Sequence, residues 1–153
     1  GTERGIVEPV PSFSACFGAA FLMVDPIIYA NELIRKMKMH GAEAWLINTG
    51  WIRGPYGTGN RIDLPSTRCI INAILDDSIN NNEFVNLPVF NVSIPTRIKG
   101  VDDSILDPAN GWESRIKWHI AASDLALKFI NNFSKFTSNP ETATLVEHGP
   151  KIS

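Results

Sequence analysis

The stretch NTGWIRGPYGTGNRIDLPSTR, residues 48–68, sets the main question about this chain. It places four glycines within residues 50–59, directly after the short apolar run AWLI at 44–47. A glycine-rich loop between a strand and a helix often binds phosphate, because backbone N–H groups and the helix N-terminus face an anion there. The loop is therefore either a phosphate cradle or a tight turn with another purpose.

The known phosphate motifs do not fit this loop. A P-loop requires G-x-x-x-x-G-K-[ST], but the correctly spaced Gly54 and Gly59 are followed by Asn60 and Arg61. The dinucleotide pattern G-x-G-x-x-G also fails, because Ile62 stands where its last glycine belongs. From the residues alone we interpret the loop as a structural turn of Gly, Pro and Tyr.

The composition is that of an ordinary globular domain. The chain has 153 residues, of which 44% are hydrophobic and 20% charged, and its net charge is −2. This charge gives no case for nucleic-acid binding, and no apolar run approaches the ~20 residues of a membrane span. Cys16 and Cys69 are predicted to be reduced, buried thiols, and we expect a cytoplasmic protein. Because the chain begins Gly-Thr-Glu rather than with Met, we expect a piece of something longer.

Upstream of the quoted stretch the pattern predicts one helix and one strand. Residues 1–25 are predicted to be irregular. A helix is predicted from Asp25-Pro26, a good N-cap followed by a tolerated proline, to a stop at Gly41. The short apolar run Glu43–Asn48 favours a strand buried on both faces of an α/β sheet. Since so small a sheet would expose its edges, we expect other chain to cover it.

Downstream, the pattern predicts three helices and one strand, which places the fold in the α/β or α+β class. A helix is predicted from about Ser66, with Ser66 as N-cap, and a half-buried strand over Pro88–Pro95. Residues 96–111 are predicted to be loop, followed by a long helix over Glu113–Phe136 and a short one over Glu141–Glu147. An apolar stripe at helical spacing predicts the core face of the long helix: Trp118, Ala122, Leu125, Phe129, Phe133 and Phe136.

The residues alone do not specify a reaction. His40, His119 and His148 are dispersed, without a neighbouring Cys or a His four positions away, so no metal site is expected. Ser14-Ala15-Cys16 has no assignable base, and the nucleophile motif G-x-S-x-G is absent from the sequence. We therefore predict neither a catalytic residue nor a metal ligand in this chain.

Seven stretches in sequence order together carry more information than any one motif. They are GTERGIVEP at 1–9, FSACFGAAFL at 13–22, NTGW with GPYGTGNRI at 48–62, TRCIINAI at 67–74, LPVFNVSIPT at 87–96, ILDPANGW at 105–112 and HGP at 148–150. Together they resemble the C-terminal portion of ATP-dependent phosphoenolpyruvate carboxykinase over nearly the whole chain. The end of the chain resembles that family's C-terminus, and the start resembles a point inside its catalytic domain.

The resemblance implies an enzyme that converts oxaloacetate and ATP to phosphoenolpyruvate, ADP and carbon dioxide in gluconeogenesis. It implies that residues 1–153 are the C-terminal part of a mononucleotide-binding α/β domain, with a mixed sheet and flanking helices. The N-terminal domain, the P-loop and the ligands of Mg and Mn are expected outside this chain. The expected partner is the remainder of the carboxykinase polypeptide, and the isolated chain is expected to be inactive. The alternative is a non-catalytic nucleotide-binding fragment or module.

The resemblance also implies three nucleotide contacts. The family's Arg-Ile pair after the Gly-x-Gly turn, and the Thr of its next Thr-Arg, map onto Arg61, Ile62 and Thr67. Arg61 is suited to stack on adenine or to donate hydrogen bonds, and Ile62 to offer an apolar contact and a backbone edge. Thr67 is expected at a helix start, with its hydroxyl and a free N–H available. The family commonly has Lys where this chain has Asn60, which removes one positive charge beside the nucleotide.

Overall fold

The computed structural model describes residues 4–5, 12–138 and 140–152, which divide into two compact units. The first unit is Gly1–Ile47 and the second is Asn48–Ser153. Helices and small antiparallel sheets alternate along the chain, which confirms the predicted mixed α/β class. No helix in the described part of the chain is long and apolar enough to cross a membrane.

The first unit contains helix α1, Pro26–His40, with the predicted ends. The carboxylate of Asp25 accepts a hydrogen bond from the N–H of Ile27 at 2.9 Å, which satisfies a donor that the helix leaves open. Gly41 ends the helix in the left-handed region, at φ 62°, where a residue without Cβ is least strained. Short 3-10 turns precede α1 in the described part of 1–25, and the predictions for 1–3 and 6–11 lie outside the described residues.

The strand predicted over Glu43–Asn48 is wrong. These residues form no strand, and Leu46 is 93% exposed. An apolar run becomes a buried strand only where a neighbouring strand takes up its backbone N–H and C=O groups. The structure pairs no described strand with this run. Residues 44–47 are apolar, as a buried strand requires, but the structure does not place them in a strand.

The second unit contains two antiparallel hairpins separated by a helix. Strand β1, Trp51–Ile52, pairs with β2, Asn60–Arg61, and helix α2 covers Leu64–Leu75. Strand β3, Phe84–Leu87, pairs with β4, Val92–Pro95, over four positions. The described strands thus form two separate two-stranded sheets rather than one mixed sheet.

The single strand predicted over Pro88–Pro95 is wrong, because residues 88–91 are a turn and the second half alone is β4. Val89 and Asn91 both have positive φ values, 73° and 54°, which no regular strand contains. The N–H of Asn91 donates to the carbonyl of Leu87 at 3.1 Å and closes the turn. The alternation of apolar and polar residues over 88–95 therefore continues through a chain reversal and does not mark a single strand.

The core of the second unit lies where the second hairpin meets helix α3, Arg115–Phe133. Ser114 caps this helix by accepting the N–H of Lys117 at 3.2 Å. A 3-10 turn, Ser134–Phe136, follows it, and the predicted short helix is α4, Pro140–Ala143, continued by the 3-10 turn Thr144–His148. The buried residues of the core are Leu87, Val89, Ala109, Trp118, Ala122 and Ala126.

The predicted core stripe of the long helix is confirmed at Trp118 and Ala122 and wrong at Leu125 and Phe129, while Phe133 and Phe136 are half-buried. Trp118 and Ala122 are buried as expected, but the next buried position is Ala126. Leu125 and Phe129 are 39% and 43% exposed. Trp118, Ala122 and Ala126 are spaced four residues apart, so they share one helix face, and that face joins the core with the second hairpin.

Candidate functional site

The quoted stretch folds into the first hairpin. Trp51 pairs with Arg61 and Ile52 with Asn60 in antiparallel register. The N–H of Ile62 donates to the carbonyl of Gly50 at 3.0 Å, which extends the pairing beyond β2. The described geometry thus joins the start of the stretch to the residues that the sequence singles out.

Backbone contacts close the tip of this hairpin tightly. The carbonyl of Pro55 accepts the N–H groups of Thr58 and Gly59 at 3.1 and 2.8 Å. A Cβ at position 59 would overlap the carbonyl oxygens of Gly54 and Ile52, so glycine is required there. The interpretation of the loop as a tight turn is confirmed by these contacts.

An arginine that the sequence reasoning did not single out connects the hairpin to a distant turn. The Nη2 of Arg53 donates to Asp102 Oδ2 at 2.9 Å and to Ser104 Oγ at 3.0 Å. Asp102 caps the 3-10 turn Asp103–Ile105 by accepting the N–H of Ser104 at 2.9 Å. No spacing rule connects positions 49 residues apart, so the sequence carried no signal for this contact.

Helix α2 begins directly after the hairpin, and its cap is not the predicted one. Asp63 is the N-cap: its carboxylate accepts the N–H of Ser66 at 2.7 Å and the hydroxyl of Ser66 at 2.9 Å. These two hydrogen bonds, the one from the Ser66 N–H first, lower the pKa of Asp63. Leu64 and Pro65 already lie within the helix, because proline suits its first turn. The predicted N-cap, Ser66, therefore lies three residues, almost one helical turn, after the observed one.

The three predicted nucleotide contacts differ from one another in how far the structure exposes their side chains. Arg61 is exposed, its Nε donates to the carbonyl of Thr49 at 3.3 Å, and no described carboxylate forms an ion pair with it. Ile62 is 9% exposed, so its side chain packs inside the unit. Thr67 is partly exposed on the first turns of α2.

One detail expected of Thr67 is wrong. Its N–H is not free but donates to the carbonyl of Asp63 at 3.1 Å, because the helix begins before Ser66. Its hydroxyl donates to the same carbonyl at 2.9 Å. The hydroxyl oxygen retains acceptor lone pairs, so what Thr67 can offer a ligand is an acceptor.

The described residues do not fit the metal ions that the resemblance implies. They contain no group of three or more His, Cys, Asp or Glu side chains that could hold a metal ion. Of the dispersed histidines, His119 has its Nδ1 3.4 Å from the hydroxyl of Ser123 on the same helix.

The cavity beside Trp118 has a volume of about 100 Å³, well below the ~300 Å³ of a small-molecule pocket.

The comparison with protein families identifies most of this chain. The sequence model of the family described as phosphoenolpyruvate carboxykinase matches residues 1–104, which is more than half of the 153 residues. The matched range contains the first hairpin, Arg61, Ile62 and Thr67. It also contains Asp102 and Ser104, the acceptors of the Arg53 side chain.

Proposed function

Because this chain belongs to the ATP-dependent phosphoenolpyruvate carboxykinase family, we propose that it forms the adenine and ribose side of that enzyme's ATP site. The family is one of carboxy-lyases that use a nucleotide. The complete enzyme converts oxaloacetate and ATP to phosphoenolpyruvate, ADP and carbon dioxide, and we assign it to gluconeogenesis in the cytoplasm. In this proposal Arg61 and Thr67 meet the nucleotide with their side chains, and Ile62, whose side chain is buried, meets it with its backbone edge.

The observation that carries the proposal is the unpaired guanidinium of Arg61. In the second unit, Arg53, Arg97 and Arg115 each form an ion pair with an aspartate. Arg61 forms none with the described carboxylates, as is also true of Arg68 on α2, and the bond to the Thr49 carbonyl uses only its Nε. Its two Nη groups are therefore available to a ligand, and a planar guanidinium can stack on a base or donate to ribose oxygens.

The surroundings of Arg61 favour the base and ribose over the phosphates. The N–H groups of Thr58, Gly59 and Ile62 are engaged within the hairpin, so they cannot wrap a phosphate as P-loop amides do. Asn60 stands where the family has Lys, which leaves the hairpin without that charge. Thr67 adds a hydroxyl acceptor one turn into α2.

The other parts of the site are assigned to the remainder of the carboxykinase polypeptide. That remainder is proposed to supply the phosphate loop, the oxaloacetate-binding groups and the ligands for Mg and Mn. When bound, the metal ions supply charge neutralisation at the phosphates. We therefore expect no turnover from the chain alone.

The test is the substitution Arg61→Ala in the chain together with the remainder of the polypeptide. Losing the guanidinium should raise the KM for ATP about tenfold and change kcat by less than about twofold, because the contact lies away from the reacting phosphate. The matched control is Arg97→Ala, which removes an arginine of the same unit that pairs with Asp103. An unchanged KM for ATP in Arg61→Ala would refute the proposed role.

Binding of ATP to the chain alone separates this proposal from the alternative of a self-sufficient binding module. One wall of a site leaves most of the ligand exposed, so we expect weak binding. Calorimetric titration with ATP, with and without Mg²⁺, measures it. Tight binding that does not depend on Mg²⁺ would favour the module.

A further inference from the structure

The first hairpin is too small to hold its own orientation. Its ladder contains two paired positions, Trp51 with Arg61 and Ile52 with Asn60. A two-stranded hairpin of this size is marginally stable in water unless other parts of the protein fix it. The contacts that tie it to the rest of the second unit therefore decide where Arg61 points.

Arg53, the first residue after β1, forms hydrogen bonds to residues about 50 positions later in the sequence. Its Nη2 reaches both Asp102 Oδ2 and Ser104 Oγ, at 2.9 and 3.0 Å. These acceptors are already fixed relative to each other, because Asp102 Oδ1 accepts the N–H of Ser104. The guanidinium thus binds to a preformed pair of acceptors rather than to two mobile side chains.

The aliphatic part of the Arg53 side chain, here called its stem, is also in close contact with the protein. A Cβ at Gly111, whose φ is 79°, would overlap Cγ of Arg53 and lie 2.9 Å from its Cβ. The aliphatic part of Arg53 therefore crosses the backbone of Gly111 at a distance that only glycine permits. One side chain joins three segments: the hairpin, the 102–104 turn and the loop at 111.

The backbone conformation of Arg53 does not favour arginine at this position, so the reason for an arginine lies in its side-chain contacts. Its φ is 63°, in the left-handed region that disfavours residues with a Cβ. Glycine would suit this backbone better, as it does at Gly54 next to it. We infer that the hydrogen bonds of the Arg53 side chain contribute enough free energy to offset this backbone strain.

We propose that Arg53 is a positioning residue for the nucleotide, which locks the first hairpin to the 102–104 turn and so fixes the direction in which Arg61 is presented. This inference rests on the proposed function. Arg53 directly follows the strand opposite Arg61, two residues beyond the cross-strand partner Trp51. Rotation of the hairpin about its base would displace Arg61, and a displacement of ~1 Å can cost a large factor in a positioned contact.

The experiment compares variants in the complete polypeptide by steady-state kinetics and by hydrogen exchange. Arg53→Ala should raise the KM for ATP about fivefold, with kcat within about twofold, since the loss is one of positioning. It should also speed the exchange of the Gly59 and Ile62 amide protons, which close the hairpin. Arg53→Lys, which keeps the stem and charge, should restore part of both effects.

Two further variants keep the test decisive. Arg53→Gly removes the same contacts but suits the backbone φ, so it guards against a failure of Arg53→Ala to fold. Gly111→Ala should reproduce the kinetic effect by displacing the Arg53 stem, with Arg53 and Arg61 both intact. The control Arg97→Ala removes the ion pair to Asp103, in the same turn, and should change neither readout.

The outcomes separate this inference from the proposed function. Faster exchange together with a raised KM in the Arg53 variants supports the inference. A raised KM in Arg61→Ala with no change in the Arg53 variants overturns it and leaves the proposed function standing. An unchanged KM in both sets overturns the proposed function and this inference with it, and unchanged exchange shows that Arg53 does not lock the hairpin.

Discussion

The two hairpins of the second unit are stabilised in opposite ways. The second hairpin, β3–β4, has four paired positions, and its Leu87 and Val89 are buried in the core against Trp118. The first, β1–β2, has two paired positions, a tip closed by backbone contacts, and a side-chain link from Arg53 to Asp102. In the proposed role the face that carries Arg61 stays exposed, so polar and backbone contacts would fix this hairpin in place of a core.

The turns of the two hairpins show the same contrast. The first turn meets its positive φ values largely with glycine, as at Gly54 and Gly57. The second turn has Val89 at φ 73°, although a β-branched residue is strained there. Val89 is buried, and the burial of its side chain offsets the strain. Backbone freedom thus shapes the first turn and side-chain burial the second.

Trp118→Ala should have the largest effect, because it removes the centre of the core beneath the second hairpin. Truncating a buried tryptophan typically costs about 3–5 kcal/mol in the free energy of unfolding. Urea unfolding followed by circular dichroism measures the loss. Ile116→Ala, at a position 73% exposed on the same helix, is the control and should cost about 0.5 kcal/mol or less. Equal losses in the two variants would show that burial does not hold this hairpin.

Gly59→Ala should have the next largest effect and should act on the first hairpin. The added Cβ overlaps backbone oxygens of Gly54 and Ile52, which cannot move without opening the turn, so we expect a loss of about 2–3 kcal/mol. Gly57→Ala is the matched control: it has positive φ but nothing within 4 Å of its Cβ, so strain alone should cost about 1 kcal/mol. Thermal unfolding compares the two, and similar losses would contradict the close approach.

Asn60→Lys should have a smaller effect and tests the charge that this hairpin lacks. A lysine at the start of β2 would return the positive charge that the family commonly has, which should lower the KM for ATP about threefold. The gain should shrink at high salt, because the added charge is exposed. Asn72→Lys, which adds the same charge on exposed α2, is the control. An equal gain there would mean that the attraction is not specific to the hairpin.

The smallest effect concerns the cap that follows the first hairpin. Hydrogen bonds from Ser66 lower the pKa of Asp63 below its ordinary value of 3.8. A lowered pKa in the folded state adds stability above the ordinary pKa, and this stability is lost as the pH falls through the folded pKa. Melting temperatures from about pH 6 to about pH 2 should therefore fall less steeply in Asp63→Asn, whose cap does not titrate.

Asp76 and Asp102 also have lowered pKa values, so the wild-type chain has a background slope in the same direction. The comparison is therefore between the slopes of the two proteins and not between their absolute melting temperatures. Identical slopes would mean that the Asp63 cap adds no pH-dependent stability.

The features that local chemistry determines could be predicted from the sequence. The ends of α1 follow from Asp25, Pro26 and Gly41, whose roles depend on neighbours a few positions away. The tight turn at Gly54 and Gly59 follows from the density of glycine, although its hairpin pairing was not foreseen. The choice of residues 61–67 came from the family resemblance, and their role in nucleotide binding stays a prediction.

The features that depend on distant partners could not be predicted. The run 43–48 has the composition of a buried strand, but only a neighbouring strand could have made it one. The reversal at 88–91 was hidden because Val89 takes a conformation that its residue type disfavours. The bridge from Arg53 to Asp102 spans 49 residues and leaves no periodic pattern.

The register of the first hairpin has a consequence for how the protein can be observed. Trp51 is the direct cross-strand partner of Arg61, and its ring lies edge-on to that of Tyr56 at 5.1 Å. Partners in an antiparallel pair project from the same face of the sheet, so this indole lies beside the guanidinium proposed to meet the nucleotide. Trp51 is thus an intrinsic fluorophore at the proposed site. The difference in emission between the protein and Trp51→Phe, with Trp45, Trp112 and Trp118 all kept, would report nucleotide binding without any attached dye.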